Sequence, residues 1–500
     1  MSVRADTSGD AAAQGAALRA IVRRGGIALE QLWLRYFGLS GDRDLLEVEA
    51  FLQGLGQLPE LDRDLLAHAA NELLDELAGA LRVPYAHPPD DSISDQGPLP
   101  ALVHLLRAAP RALAGELGAA ATAAGRLLGA DDIAVYLVDY EQRTLVPLPG
   151  SANGRPPLPI ESTLPGRAFR TGVTLSTSAG AGPGLWVPVI DGVERLGVLE
   201  VRLPSDRELA DPLLREQCGW LANLVAHLVT HAATHGDLVD HTRRSRERTV
   251  TGELIWTLLP PLTAGSGSFT VAGLLEPSHD VSSDAFDYAL AEDSVQLAIF
   301  DGTGHAVDAG LVTATALAAS RAARRAGRSL YAQAAAVDDA VAEHFPQSYA
   351  TGVLGQLDLH TGRLRYVAAG HPAPLLLRDG KVVGALQHGR RPPLGLGTGE
   401  LTVGEAYLQR GDWLVLYTDG VTEARDTAGH SFGVPRLVDF LEREAAGGHP
   451  PPETVRRLVH AVLRHRDNVL HDDVTVLLAR WSPPPPSTPS PGLALIEPSD

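Results

Sequence analysis

Four short acidic motifs recur in the C-terminal part of this chain, and each abuts an apolar stretch that reads as a β-strand. They are Ser283-Asp284-Ala285-Phe286-Asp287, Asp301-Gly302-Thr303-Gly304-His305, Thr418-Asp419-Gly420 and His471-Asp472-Asp473-Val474-Thr475. A carboxylate beside a buried strand is costly unless something positive pairs with it. Few Lys or Arg residues stand near these motifs. The fold is therefore expected to gather the four around a shared counter-charge, and a pair of divalent cations is the economical choice.

Carboxylate oxygens favour hard ions such as Mg²⁺ or Mn²⁺ over the softer metals that thiolates bind. Two such ions about 3.5–4 Å apart can activate a water and neutralise phosphoryl oxygens, which points to hydrolytic chemistry. An aspartate directly after a buried strand has a fixed backbone, and a following glycine lets its carbonyl approach the same ion. Asp301-Gly302, after the apolar run 295–300, meets both conditions. A lone Asp-Gly is ordinarily a turn, and Asp379-Gly380 is read that way. Asp472-Asp473 taken alone could be a solvated strand start; together with the other three motifs it is read as metal-binding.

At 500 residues the chain is too long for one core and suggests two to four domains. Its 44% hydrophobic and 21% charged residues are those of a globular protein. A formal net charge of −19 argues against general nucleic-acid binding and against an anionic membrane surface. It does not exclude a phosphorylated substrate, because bound cations reverse the local field. A single cysteine, Cys218, excludes an internal disulfide and a cysteine-rich zinc site; its helical neighbours Leu221 and Leu224 make it a buried residue rather than a reactive one. Neither a leader pattern nor a membrane-length apolar run is expected, so the chain is read as cytoplasmic. Abundant Ala, Gly, Pro and Arg fit a GC-rich bacterial genome.

The expected organisation is multidomain α+β. Residues 1–90 form a helical N-terminal region, in which Leu61, Leu65, Leu66, Ala69, Leu73, Leu74, Leu77 and Leu81 share one face and Trp33 to Phe37 can pack against it. Residues 83–99 read as a linker. Residues 100–235 follow a helix, strands, helix pattern with a hairpin around Asp191-Gly192, and 236–262 form a connecting helix ended by Pro260-Pro261. Its basic run 243–248 reads as a wet helix face, with a binding patch as the other option. Residues 266–481 alternate strands and helices as stacked sheets flanked by helices, an α-β-β-α sandwich, and 482–500 are a disordered Pro-rich tail.

Two resemblances sharpen this reading. The strand after Ala130-Asp131-Asp132, the Leu164-Pro165-Gly166-Arg167-Ala168-Phe169 segment and the final hairpin make 100–235 resemble a GAF domain, a sensing or dimerising module. The C-terminal domain resembles the metal-dependent phosphatases of the protein phosphatase 2C class, in the bacterial branch of the stage II sporulation phosphatase and the stress regulators of sigma-factor partner switching. Besides the acidic motifs, the resemblance rests on Leu258-Leu259-Pro260, Ala369-Gly370-His371-Pro372, Pro393-Leu394-Gly395, Gly411-Asp412 and Phe432-Gly433.

The resemblance implies that Asp301 bridges two Mn²⁺ or Mg²⁺ ions, with Gly302 lending its carbonyl. It implies that Asp284 serves the second ion and that Asp419 and Asp472 hold the first, with Asp301 and Asp284 central to catalysis. Asp287, Asp473 and His305 are supporting residues, and His305 and His371 are read as braces, with proton donation as the alternative. The implied reaction is hydrolysis of phosphoserine or phosphothreonine on a signalling protein of the anti-sigma-factor-antagonist type, regulated by the upstream module. A small-molecule ligand of the GAF-like region and homodimerisation both stay open. Two departures stand out: Ser282-Ser283 replaces the family's usual glycine pair, and Ala306 stands where glycine often follows the loop histidine. The serine pair keeps a second reading alive, a low-activity scaffold with the phosphatase fold; a ligand-sensing regulator is a third.

Overall fold

A computed structural model describes residues 7–39, 41–80, 97–108, 114–151, 154–178, 182–278, 282–304, 307–397, 402–466 and 470–483. The chain divides into two units, Met1–Ile93 and Ser94–Asp500.

In the first unit, helices Thr7–Gly25, Leu29–Gly38, Leu45–Gln53 and Glu60–Ala80 bury Leu32, Tyr36, Val48, Phe51, Leu66 and Ala69. A capping box starts the third helix: the Glu47 amide donates to Asp44 Oδ1 at 2.8 Å and the Asp44 amide to Glu47 Oε2 at 3.1 Å. The expected leucine face holds at Leu65, Leu66, Ala69, Leu73 and Leu74, but Leu61 is 72% exposed and Asp62 points inward in its place. Asp62 takes the inner position because the buried Tyr36 hydroxyl donates to its Oδ1 at 2.5 Å and Arg43 Nε donates to Oδ2 at 3.2 Å. Of the Trp33 to Phe37 cluster only Tyr36 is fully buried. The side chains of Leu77 and Leu81, most of the 83–99 linker and the tail beyond 483 lie outside the described residues.

The second unit begins with a six-stranded antiparallel sheet in the order Leu158–Pro159, Thr144–Pro147, Asp132–Val138, Glu194–Arg202, Gly184–Asp191, Leu175–Thr177. Its residues alternate between two faces. Ile133, Val135 and Leu137 join a core with the helices Pro98–Ala108, Ala114–Leu127 and Pro212–Ala233. Ala134, Tyr136 and Val138 face the short helix Leu164–Thr171. Cys218 is buried in the first of these cores, and burial pushes its thiol up to about 12.

The connection to the next domain is not the single helix expected over 236–262. It is two short helices, Leu238–Arg243 and Val250–Leu258, separated by extended backbone at Arg244 (ψ 119°). The Thr249 hydroxyl caps the second helix at the Gly252 amide, 3.3 Å away. The basic run is not a wet face either. Arg243 is buried and donates from Nε to the Val138 carbonyl at 3.0 Å. Arg244 is clamped between Asp240 and Glu253, and the Arg248 guanidinium lies 4.0 Å from the Trp256 ring centroid. These contacts fold the connection back onto the sheet.

Two further six-stranded sheets share one hydrophobic core that includes Val271, Phe286, Ile299, Leu416 and Leu477. The first runs Arg390–Arg391, Arg363–Ala369, Ala350–Asp358, Ser294–Gly302, Asp284–Leu290, with Gly404–Tyr407 also on Arg363–Ala369. The second runs Lys381–Ala385, Leu375–Arg378, Trp413–Tyr417, Val474–Trp481, Phe269–Glu276, Thr263–Ser266. Helices Val307–Arg325 and Leu330–His344 pack on the first sheet, and Gly433–Ala446 and Pro451–His465 on the second. Strand Thr263–Ser266 starts this pairing slightly earlier than the expected 266. Asp379-Gly380 is a tight hairpin turn with φ of 49° and 75°, as that dipeptide suggests.

Strand polarity positions the site. Asp284–Leu290 leaves from the end of the first sheet at which its antiparallel neighbour Ser294–Gly302 arrives. In the second sheet Trp413–Tyr417 arrives where Val474–Trp481 departs. All four acidic motifs thereby meet at one end of the stacked sheets.

Candidate metal centre

Asp284 and Asp301 are direct Cα partners across their antiparallel pair. Asp284 is 1% exposed, and two hydroxyls from the opposite sheet donate to its Oδ2: Thr418 Oγ1 at 2.8 Å and Thr475 Oγ1 at 2.7 Å. The Thr475 amide in turn donates to Thr418 Oγ1 at 3.1 Å. This clasp joins the two sheets through Oδ2 of one carboxylate. Thr418 and Thr475 stand inside the acidic motifs, yet their role was not read from the sequence. The available signal was a threonine beside Asp419 and another two positions past Asp473.

Asp301 is half-buried; burial, and then the charges of Asp419, Asp472 and Asp473, push its carboxyl up to about 8. Burial followed by Asp301 and Asp473 raises Asp284 well above the ordinary carboxylate range. Burial followed by Glu423 raises Asp419, and burial followed by Asp419 raises Asp472. Repulsion of this kind marks a crowded set of anions, offset in part at Asp472 by Arg466. The structure thus brings Asp284, Asp301, Asp419 and Asp472 together. Gly302 is packed so closely that a Cβ there would fall on the Ala309 carbonyl and the Thr313 hydroxyl. At Gly420 a Cβ would land on the Asp473 carbonyl, so glycine is what lets the Asp419 turn sit against Asp472-Asp473.

The supporting residues divide. Asp473 is 2% exposed and accepts from the Ser278 amide at 2.8 Å, the Ser283 amide at 2.6 Å, and the Ser282 and Ser283 hydroxyls at 3.1 Å each. Neither serine needs a positive φ, and their hydroxyls replace the freedom of a glycine pair with hydrogen bonds to Asp473. Asp287 lies on the other face of its strand, away from the cluster, bridging Arg321 and Arg324 at 2.7 Å each. His305 lies outside the described residues. His371 is buried, bonds Thr351 Oγ1 through Nδ1 at 2.8 Å, and is held neutral by a pKa pushed down to about 3 by burial. It braces the strand beside Asp301, since Thr351 is the Asp301 partner on the other side. Arg391 is buried against Asp338 at 2.8 Å, whereas Arg390 is exposed.

Mg²⁺ or Mn²⁺ suits this donor set, which is all hard oxygen and carries excess negative charge. Among the described residues, however, no three His, Cys, Asp or Glu side chains already close on one point as ion ligands. Beside Asp472 a cleft of about 670 Å³ opens, lined by Gly420, Glu423, Arg425, Asp426 and Arg466 among others. The two arginines at this rim were not singled out from the sequence.

This stack of sheets with a carboxylate cluster at one end is the architecture that the resemblance to the protein phosphatase 2C class implies. Residues 291–482 match the family model of Stage II sporulation protein E (SpoIIE). The match takes in Asp301, Asp419 and Asp472 and begins just after Asp284. The chain is also 28% identical to protein IcfG of Synechocystis sp. over 131 residues, which is 26% of this chain and 20% of that protein. Among solved structures, the RsbU and RsbW domains of Rv1364c from Mycobacterium tuberculosis are 29% identical, with 44% of this chain and 63% of that chain covered and a TM-score of 0.38. The SiaA-PP2C domain of Pseudomonas aeruginosa is 26% identical, with 42% of this chain and 86% of that chain covered and a TM-score of 0.39. This chain therefore spans a fifth of the curated relative's length and under two thirds of the first of these structures. No helix among the described residues is long and apolar enough to cross a membrane.

Proposed function

We propose that this chain is a metal-dependent protein serine/threonine phosphatase whose GAF-like module, residues 100–235, regulates a catalytic domain over 263–481. The observation that carries the reading is the convergence of Asp284, Asp301, Asp419 and Asp472, each with a raised pKa, on one end of the stacked sheets. In this reading Asp301 and Gly302 serve both metal positions, Asp284 the second, and Asp419 and Asp472 the first. When bound, two divalent cations supply charge neutralisation and an activated water for attack on a phosphoryl group.

The chain's own residues provide the rest. Thr418 and Thr475 orient Asp284 by holding one oxygen. Asp473 fixes the residues that lead into Asp284. Arg425 and Arg466 border the cleft beside Asp472 and suit the phosphoryl group and acidic flanks of a phosphoserine or phosphothreonine segment. An anti-sigma-factor antagonist is the substrate type that the family resemblance favours. The scaffold reading loses its motive, because Ser282-Ser283 is accommodated by hydrogen bonds rather than strain.

The test is phosphate release from a serine-phosphorylated antagonist protein with Mn²⁺, Mg²⁺ or EDTA. Metal-dependent release that Asp301→Asn abolishes supports the assignment. A chain that binds neither ion at millimolar concentration refutes it.

A further inference from the structure

The GAF-like module meets the catalytic domain at several points, Arg195 to Glu453 and Arg456 to Glu161 among them, and a hairpin turn is the one that reaches toward Asp284. Strands Asp132–Val138 and Thr144–Pro147 are joined at 139–143, and the Asp139 carboxylate stiffens this turn by accepting from the Arg143 amide at 2.7 Å and the Thr144 amide at 3.0 Å. On one side, the turn's carbonyls meet helix Pro451–His465: His460 Nε2 lies 2.9 Å from the Glu141 carbonyl, and Arg456 Nη1 donates to the Gln142 carbonyl at 3.4 Å. On the other side, Arg143 reaches Glu276, the last residue of strand Phe269–Glu276.

Glu276 is 2% exposed, and its Oε1 accepts from Arg143 Nη2 at 3.0 Å and from Arg246 Nη2 at 2.7 Å. Its Oε2 is buried without a hydrogen-bond partner among the described residues. Arg143 belongs to the turn and Arg246 to the connection between the domains, so both donors come from outside the catalytic sheets. Two residues beyond Glu276, the Ser278 amide donates to Asp473, which also holds Ser282 and Ser283 beside Asp284. A small cavity of about 30 Å³ lies between the partners, lined by Tyr140, Arg246, Trp256, Pro277 and Ser282 among others. That is room for about one water, so movement of the turn has little slack before it reaches Pro277 and Ser282.

We propose that Glu276 is a positioning residue through which the GAF-like module sets the Asp284 side of the metal centre. The proposal rests on the phosphatase reading above. Arg143 and Arg246 hold Glu276, Asp473 holds Ser278 two residues on, and the same Asp473 holds Ser282 and Ser283 next to Asp284. When the turn stays seated, Asp284 is held opposite Asp301. When the turn withdraws, the buried Glu276 loses Arg143 and keeps Arg246, and the residues after it are held less firmly.

The experiment uses the full chain in three forms: wild type, Arg143→Ala/Arg246→Ala and Arg143→Lys/Arg246→Lys. Mn²⁺ affinity is measured by calorimetry with the metal alone, and hydrogen exchange of the Ser278 and Ser283 amides is followed in EDTA. Cutting both arginines is expected to weaken Mn²⁺ binding about 10-fold, the usual scale for a residue that orients a ligand indirectly, and to speed exchange at both amides. The lysine pair, which keeps the charges on Glu276, is expected to recover most of both and guards against misfolding of the alanine form. Unchanged affinity and exchange in a folded alanine variant overturn the role of Glu276 and leave the phosphatase reading standing. Failure of the wild type to bind Mn²⁺ refutes that reading itself.

Discussion

Asp284 and Asp301 face each other directly across one antiparallel strand pair, yet their carboxylates are held in opposite ways. Asp284 is gripped by two threonine hydroxyls from the other sheet. Asp301 is left among other acids, and its carboxyl is pushed up to about 8 by burial, Asp419, Asp472 and Asp473. The first arrangement fixes one carboxylate by hydrogen bonds, and the second leaves repulsion that the proposed divalent cations would relieve.

That repulsion has a pH signature. A carboxyl raised above its ordinary value leaves stability intact below the unfolded pKa and withdraws it as pH rises through the folded one. Metal-free wild type is therefore expected to lose thermal stability between about pH 4 and about pH 8 through this residue. Asp301→Asn should show a shallower decline in EDTA and a much smaller gain on adding Mn²⁺. Calorimetric scans with and without metal decide it, and parallel profiles for the two proteins refute it.

Replacing Thr418 or Thr475 by valine keeps the shape and removes one donor to Asp284 Oδ2. Each change is expected to cost about 1–3 kcal/mol by leaving a buried carboxylate under-satisfied, and to weaken Mn²⁺ binding about 10-fold. Titration calorimetry of the two variants provides the check. Wild-type affinity in both would show that the clasp is irrelevant to the metal.

Arg456 is fully buried and donates to Glu453 at 2.9 Å through both Nε and Nη2, and to Glu161 at 2.6 Å. Arg456→Met leaves the buried Glu453 with only the more distant Arg195, 3.6 Å away. The expected loss is about 3 kcal/mol, since removing one partner of a buried pair costs more than removing both. Arg456→Met/Glu453→Gln should recover part of it in denaturant unfolding. A double variant worse than the sum of the singles would contradict this account.

His460 sits at the same junction, and its pKa is pushed down to about 4, first by burial and then by Arg456 and other nearby arginines, against the bond to the Glu141 carbonyl. A histidine depressed in the folded state contributes stability above its unfolded value near 6.5, which is lost as pH falls toward about 4. The junction is expected to loosen over that window, seen as faster proteolysis between the domains. His460→Gln should flatten the dependence; an unchanged profile would assign the acid sensitivity elsewhere.

Much of the site was legible because its chemistry is local. Asp301-Gly302 follows a buried strand, Asp419-Gly420 follows another, and Asp472-Asp473 precedes a third. The strands themselves, the Asp379-Gly380 turn and the burial of Cys218 announced themselves by periodicity and turn chemistry. The helix over 236–262 did not hold, because apolar spacing is silent about where a capping threonine and a buried arginine will break a run. The leucine face of the fourth helix held from Leu65 to Leu74 but not at Leu61, for a related reason: Tyr36 requires an inward acceptor, and Asp62 takes the place of Leu61 in the core.

Residue order alone established which segments are strands, which aspartates flank them, and that the last domain carries the motifs of a metal-dependent hydrolase, since those properties depend on neighbours in the chain. Only the tertiary structure decided that Thr418 and Thr475 grip Asp284, that Asp287 turns away to Arg321 and Arg324, and that Arg143 and Arg246 meet on Glu276. Each of those contacts joins residues far apart in sequence, and the charge or hydroxyl that completes one is invisible until packing delivers it.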